Sequence, residues 1–287
     1  MMSKQIKWGY LLLLSLIWGS SFILIKKGLV GLTAFQLGSL RIIFAALFLL
    51  VIGFRSLIKI PHHQWKYIAL TSLFGTFIPA YLFAIAQTQI DSSISSILNS
   101  LTPLNTLLIG VLFFRLDFRR NQIFGVLIGL VGSALLIWNG AVHHPNQNYY
   151  AFLVLIASIC YATNVNLIKK YLSDLPPLSI TTGNFLVLLF PALAVLYSTD
   201  FFAMTYGAEV QESVLYILIL GVLGTGIANI IFFKLIQISS PVFATSVTYL
   251  IPVVAFFWGM LDQELLTPVQ LFGAFIVLVG VYLSARK

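Results

Sequence analysis

From Trp8 to Ile25 the chain runs for 18 residues without a charge, as WGYLLLLSLIWGSSFILI, and apolar blocks of similar length recur to its end. A helix needs roughly 20 apolar residues to cross a bilayer, so this pattern restricts the fold more than any motif does. Soluble proteins are about 25% charged. Here charged residues make up 8%, hydrophobic residues 60%, and the mean hydropathy is +1.01. That is too little charge to coat a globule of 287 residues, and no segment reads as a separate soluble domain. The first block exceeds the 7–15-residue core of a secretory leader, and no A-x-A-like site follows it, so it reads as a retained span.

Cutting at charges, prolines and polar clusters predicts ten transmembrane helices, at about 8–26, 33–54, 67–88, 93–114, 121–139, 150–170, 178–198, 213–236, 241–260 and 269–284. The fold class is therefore an all-α polytopic membrane protein. Its net charge of +8 makes no nucleic-acid footprint, because Lys and Arg stand singly or in pairs between apolar blocks. Placing the N-terminus inside puts 13 of the 16 cations in inner segments: Lys4, Lys7, Arg55, Lys59, Lys66, Arg115, Arg119, Arg120, Lys169, Lys170, Lys234, Arg286 and Lys287. Lys26 and Lys27 fall outside and Arg41 lies within a span. Cytoplasmic loops carry such an excess, so both termini are expected to be cytoplasmic.

The chain also repeats. SILNSLTPLNTLLIG around Pro103 returns as TSVTYLIPVVAFFWG around Pro252, 149 residues later. IWGSSFILIKKGL (17–29) lies over CYATNVNLIKKYL (160–172), SLFGT (72–76) over GVLGT (221–225), and FGVLIGLVG (124–132) over FGAFIVLVG (272–280). Residues 1–140 thus form a first repeat and 141–287 a second, each of five spans. Five is odd, so the second copy enters the membrane inverted, an arrangement that places a solute site near the midplane between the halves.

These features resemble the EamA family of the drug/metabolite transporter superfamily along essentially the whole chain. The matching elements are LIWGSSF, LGSLRIIFAALFL, the proline spans SLTPL and YLIPV, and the closing FGAFIVLVG. The resemblance implies a secondary transporter of the bacterial inner membrane, exporting amino acids or related metabolites. Members usually carry a Glu after the proline span of each half. Glu264 fits that pattern, whereas the first half has Arg115.

Proline cannot donate to the carbonyl four residues back. Pro103 and Pro252 are therefore expected to kink their helices and free the carbonyls of Asn99 and Thr248. Irregular backbone at membrane depth must face protein or a water-filled cavity. Ser95, Asn99, Thr102 and Thr106 make a polar stripe beside the first proline; Thr245, Thr248 and Tyr249 make a shorter one beside the second. Cavity lining is the expectation, against kinks that serve packing with hydroxyls bonded to their own helix. Trp18 with Ser21, and their repeat mates Tyr161 with Asn164, either line the cavity or bond neighbouring helices. Thr225, Asn229 and Thr76 carry the same choice. Arg41, with Asn184 as its mate, could hold a solute carboxylate, cap helix-end carbonyls, or snorkel.

Gly125-x-x-x-Gly129 reads as a packing face and Cys160 as an inert packed thiol. His62-His63 and His143-His144 lie in loops and read as surface, so no metal or other cofactor is expected. There is no P-loop G-x-x-x-x-G-K-[ST], so ATP is not the expected driver, and no Asp or Glu lies deep in a span. Ser56-x-x-Lys59 lacks the companion elements of an acyl-enzyme site; an intramembrane enzyme, or a sensor or channel, is the rival class. The expected partners are a small-molecule solute and lipid, for a monomeric protein.

Overall fold

The computed structural model describes residues 4–90, 92–117, 120–138, 147–261 and 268–285. Asp91, Arg119, His143, His144, Asp262, Glu264, Arg286 and Lys287 lie outside the described residues, so the expectations attached to them are not addressed by it.

The described chain is helical. In order it forms α1 (Lys4–Gly28), α2 (Ala34–Gly53), α3 (Trp65–Ser72), α4 (Ile78–Ala86), α5 (Ser92–Asn99), α6 (Thr102–Phe114), α7 (Arg120–Trp138), α8 (Gln147–Tyr171), α9 (Pro177–Tyr197), α10 (Ala208–Ile219), α11 (Ala228–Ile238), α12 (Pro241–Thr245), α13 (Val247–Leu261) and α14 (Pro268–Ala285). Two π-helical segments, Leu73–Phe77 and Leu220–Ile227, join α3 to α4 and α10 to α11 without a loop. Six stretches are long and apolar enough to cross a membrane: Gln5–Gly28, Ala34–Lys59, His62–Ala86, Tyr149–Tyr171, Pro177–Tyr197 and Ala208–Ile238. The protein is a multi-pass membrane protein.

Local chemistry sets the boundaries. Thr33 and Gln36 close a reciprocal capping box on α2, each side chain accepting from the other's backbone N–H at 3.3 and 2.9 Å. Pro177 opens α9 at a position where its missing N–H costs nothing. The apolar side chains point both ways, which is what a lipid solvent allows. Val51, Leu112, Phe113 and Phe190 are exposed on the outside, while Ser39, Thr71, Ser158 and Asn166 are buried within. Polar groups turn inward because hydrocarbon offers them no partner.

α2 packs on α9, α7 on α14, α1 on α13 and on α10–α11, and α8 on α5–α6 and on α3–α4. At the cores of these contacts sit Leu11, Leu14 and Ile168 in one cluster and Leu37, Ile42 and Leu49 in another.

The two proline regions differ from expectation in one respect. Pro103 does not bend a continuous helix: the chain leaves helical geometry at Ser100–Leu101, and Pro103 is the second residue of α6. A proline in the first turn lacks only an N–H that would have no partner there, so the break occurs before it. Pro252 does lie inside α13, and a separate break precedes it at Ser246.

Candidate functional site

The segments Leu73–Phe77 and Leu220–Ile227 occupy the duplicated SLFGT and GVLGT phrases, so both copies unwind at matching places. An i→i+5 turn widens a helix locally and is frequent at functional sites. Glycines use that widening. A Cβ on Gly75 would lie 2.5 Å from the Asn164 amide, and one on Gly224 would lie 2.8 Å from the Ser21 hydroxyl. Gly75 and Gly224 are repeat mates, as are Asn164 and Ser21, so one close contact is built twice.

Between these segments lies a cavity of about 830 Å³, its open mouth included. Trp18 and Ser21 reach it from α1, Arg41 from α2, Thr76 and Thr225 from the π-segments, and Asn99 and Thr102 from the first proline region. Tyr161 and Asn164 enter from α8, Asn229 from α11, and Thr245 and Thr248 from the second proline region. Sequence reasoning had singled out all twelve. Phe22, Ile25, Gly75, Phe83, Val165, Gly224, Phe232 and Ile251 complete the lining and were not foreseen. For the two glycines a signal existed in the repeated phrase; the apolar residues carry none that separates them from ordinary core.

Four expected lining residues lie elsewhere. Tyr249 is fully buried with its hydroxyl donating to the Val126 carbonyl of α7 at 3.0 Å. It is next to Thr248 in sequence, and neighbours on a helix point about 100° apart, so one faces the cavity and the other packs. Asn184 is spent on α3: its amide lies 2.9 Å from Thr71 Oγ1 and 3.1 Å from the Ile68 carbonyl. Ser95 is buried one turn from Asn99, off the lining, with no hydrogen-bond partner among the described residues. The break at Ser100 turns the chain, and Thr106 likewise leaves the cavity to bond the Thr102 carbonyl at 2.8 Å.

The freed carbonyls are answered. Thr102 Oγ1 donates to the Asn99 carbonyl at 2.7 Å, and Ser100 Oγ donates to the Thr248 carbonyl of the second proline region at 3.0 Å. Several lining hydroxyls spend their proton on nearby backbone: Ser21 on the Ile17 carbonyl of its own helix at 2.9 Å, Thr245 on that of Pro241 at 3.0 Å and Thr248, across the break at Ser246, on that of Thr245 at 2.9 Å. Such groups offer lone pairs, not protons, to anything in the cavity.

Among the described residues, Arg41 is the one charged side chain in the lining. Its Nε donates to Thr225 Oγ1 at 2.7 Å, and that hydroxyl donates on to the Leu220 carbonyl, five residues back in the π-turn, at 3.0 Å. Gly221 lets α2 come close there, since a Cβ on it would sit 2.9 Å from the Arg41 carbonyl. Aromatic faces close the remaining walls. Trp18 meets Phe232 edge-on at 4.9 Å between ring centres, and its Nε1 donates to the Gly224 carbonyl at 2.9 Å. Phe83 bridges Phe22 at 5.8 Å and Tyr161 at 6.0 Å.

Comparison with known proteins follows the same lines. The chain is 24% identical to an "Uncharacterized transporter" of Archaeoglobus fulgidus, covering 98% of this chain and 99% of that one. It is 24% identical to a "Probable amino-acid metabolite efflux pump" of Salmonella typhimurium, over 96% and 94% of the two chains. It is 26% identical to the "Uncharacterized inner membrane transporter YedA" of Escherichia coli K12, over 97% and 92%. A crystal structure only 14% identical superposes with a TM-score of 0.75 over 98% of this chain and 96% of the other, so the fold is shared. The model of the EamA-like transporter family matches twice, over residues 7–138 and 148–286, and the chain belongs to that family.

Proposed function

We propose that this transporter exports small organic solutes, amino acids or related metabolites, from the cytoplasm of a bacterium across its inner membrane by alternating access of two inverted five-helix repeats. The observation that carries the reading is that one cavity is lined from both halves by repeat-related groups: Trp18 with Tyr161, Ser21 with Asn164, Thr76 with Thr225, and Asn99 with Thr248. The helix pairings support it too. Exchanging the halves turns the α1–α13 contact into that of α8 with α5–α6, and turns the α1–α10/α11 contact into that of α8 with α3–α4. A site at such an axis can be offered to either side by equivalent movements of the halves. The named relatives are transporters or efflux pumps, which points away from an enzyme.

The test is counterflow. Purified protein in liposomes preloaded with one unlabelled solute is expected to accumulate the labelled solute transiently, for at least one of a panel of amino acids and related metabolites. A panel giving only the rates of protein-free vesicles would overturn the reading.

A further inference from the structure

We infer that the cavity selects solutes of net charge −1, holding their carboxylate on the outer edge of the Arg41 guanidinium, and that each export cycle carries that negative charge across the membrane. The inference rests on the transporter reading above and names the solute class that its site takes.

An arginine is permanently charged and offers five N–H donors in a fixed fork. Here one of them, on Nε, is fixed by Thr225 at 2.7 Å. The Thr225 hydroxyl is itself oriented by the Leu220 carbonyl at 3.0 Å, so the guanidinium plane is set by the π-turn. No further hydrogen bond from Arg41, and no carboxylate in the cavity lining, occurs among the described residues. A charge at membrane depth is costly unless paired, and this one faces the cavity rather than a helix end. The solute is the group that supplies the countercharge. The free edge of the guanidinium matches a carboxylate with two parallel bonds.

The remaining lining decides between anion and zwitterion. An α-amino acid would pair its carboxylate with Arg41 but leave the loaded site at +1, its ammonium met by hydroxyl lone pairs, amides and rings and by no carboxylate among the described lining residues. A monoanion neutralises the site completely. Asn164 lines the cavity and its buried Oδ1 has no hydrogen-bond partner among the described residues, so it is the neutral acceptor that a hydroxyl or amide N–H of the solute would satisfy once its side chain turns toward it. Phe83, Trp18 and Phe232 suit an apolar or aryl side chain. The class is therefore a monocarboxylate with an apolar side chain and one neutral hydrogen-bond donor, such as a 2-hydroxy acid or an N-acylated amino acid.

Charge balance follows. The empty site carries +1 and the loaded site 0, so one negative charge crosses with each solute exported. An inside-negative potential then drives export, and no carboxylate relay in the cavity is needed.

The probes are 3-phenyllactate, its neutral amide and phenylalanine, with the purified chain in liposomes at pH 7.5 and protein-free liposomes as the leak control. Counterflow of phenyllactate is expected to run at least tenfold faster than that of the amide and faster than that of phenylalanine. A valinomycin-imposed, inside-negative potassium potential is expected to accelerate phenyllactate efflux and an inside-positive one to slow it. Arg41→Gln is expected to erase the preference for phenyllactate over the amide, and Arg41→Lys to keep part of it. The comparison of solutes on the parent chain holds even if Arg41→Gln fails to fold. Equal rates for phenyllactate and its amide, efflux indifferent to the potential, or an Arg41→Gln variant with unchanged selectivity would each overturn the inference. If phenylalanine or the amide moves and phenyllactate does not, this inference fails while the transporter reading stands. If none of the wider panel moves, both fail.

Discussion

The Ser100 hydroxyl donates to the backbone carbonyl of Thr248 at 3.0 Å, across 148 residues of sequence and between the two proline regions. That carbonyl is the one Pro252 deprives of its helical partner. The break in one proline region thus supplies the donor that the proline in the other requires. Ser100→Ala leaves a buried acceptor unpaired, at a cost of about 1–3 kcal/mol. Pro252→Ala restores an N–H to the same carbonyl from within α13. In a double-mutant cycle read by thermal unfolding in detergent, the pair is therefore expected to be less destabilised than the sum of the single variants. Strict additivity would show that the two groups do not share this bond.

The contacts of Gly75 and Gly224 should be intolerant of a methyl group. Gly75→Ala places a Cβ 2.5 Å from the Asn164 amide, and Gly224→Ala places one 2.8 Å from Ser21 Oγ. Each is expected to lower transport per molecule at the membrane several-fold, Gly75→Ala more strongly because the branched amide has less freedom to move than a hydroxyl. Transport rates normalised to surface expression test this, and parent-like rates in both variants would exclude the close packing as a requirement.

Asn99 and Thr248 reach the cavity from matching positions. Asn99→Leu and Thr248→Val keep the approximate shape of each side chain and remove polar atoms facing solute. Expression is expected to stay near normal while transport falls, about tenfold if each loses one hydrogen bond to the solute. Two variants that transport like the parent would leave these residues as packing alone.

Lys169 spans three carbonyls at the end of α11: Ile236 at 3.1 Å, Gln237 at 3.2 Å and Ser239 at 2.8 Å. A cation at a helix C-terminus is favourable, and here it also ties α8 to the end of α11. Lys169→Met keeps the aliphatic stem and removes the donors. A lower thermal midpoint is expected, by a loss of about 1–3 kcal/mol; an unchanged midpoint would show that water takes over the carbonyls.

Orientation can be checked at two exposed sites. With Cys160 replaced by Ala, Lys59→Cys is expected to react with a membrane-impermeant thiol reagent only from the cytoplasm, and Thr205→Cys only from outside. The reverse pattern at both would invert the topology drawn from the distribution of cations.

Much of the candidate site was legible because the proline phrases with their polar stripes and the lone charge in a span are each local departures from what lipid tolerates. Such departures have to be compensated inside the protein, so they mark its interior before any contact is known. What could not be read was which face of each helix meets which neighbour. Thr248 and Tyr249 look alike as a polar pair, yet one lines the cavity and the other bonds Val126. Arg41 and its mate Asn184 hold equivalent places in the repeat, yet Asn184 is consumed by Thr71 and Ile68.

By itself the sequence determined the membrane class, the all-helical character and the doubled phrases, since hydrophobic length and the missing proline N–H act through neighbouring residues. Only the tertiary structure decided that Arg41 meets Thr225, that Ser100 answers the Thr248 carbonyl, and that both glycine phrases unwind into π-turns around one cavity. The physical reason is that in hydrocarbon each polar atom must find its partner within the protein. Which partner it finds depends on helix rotations and close approaches between elements more than a hundred residues apart.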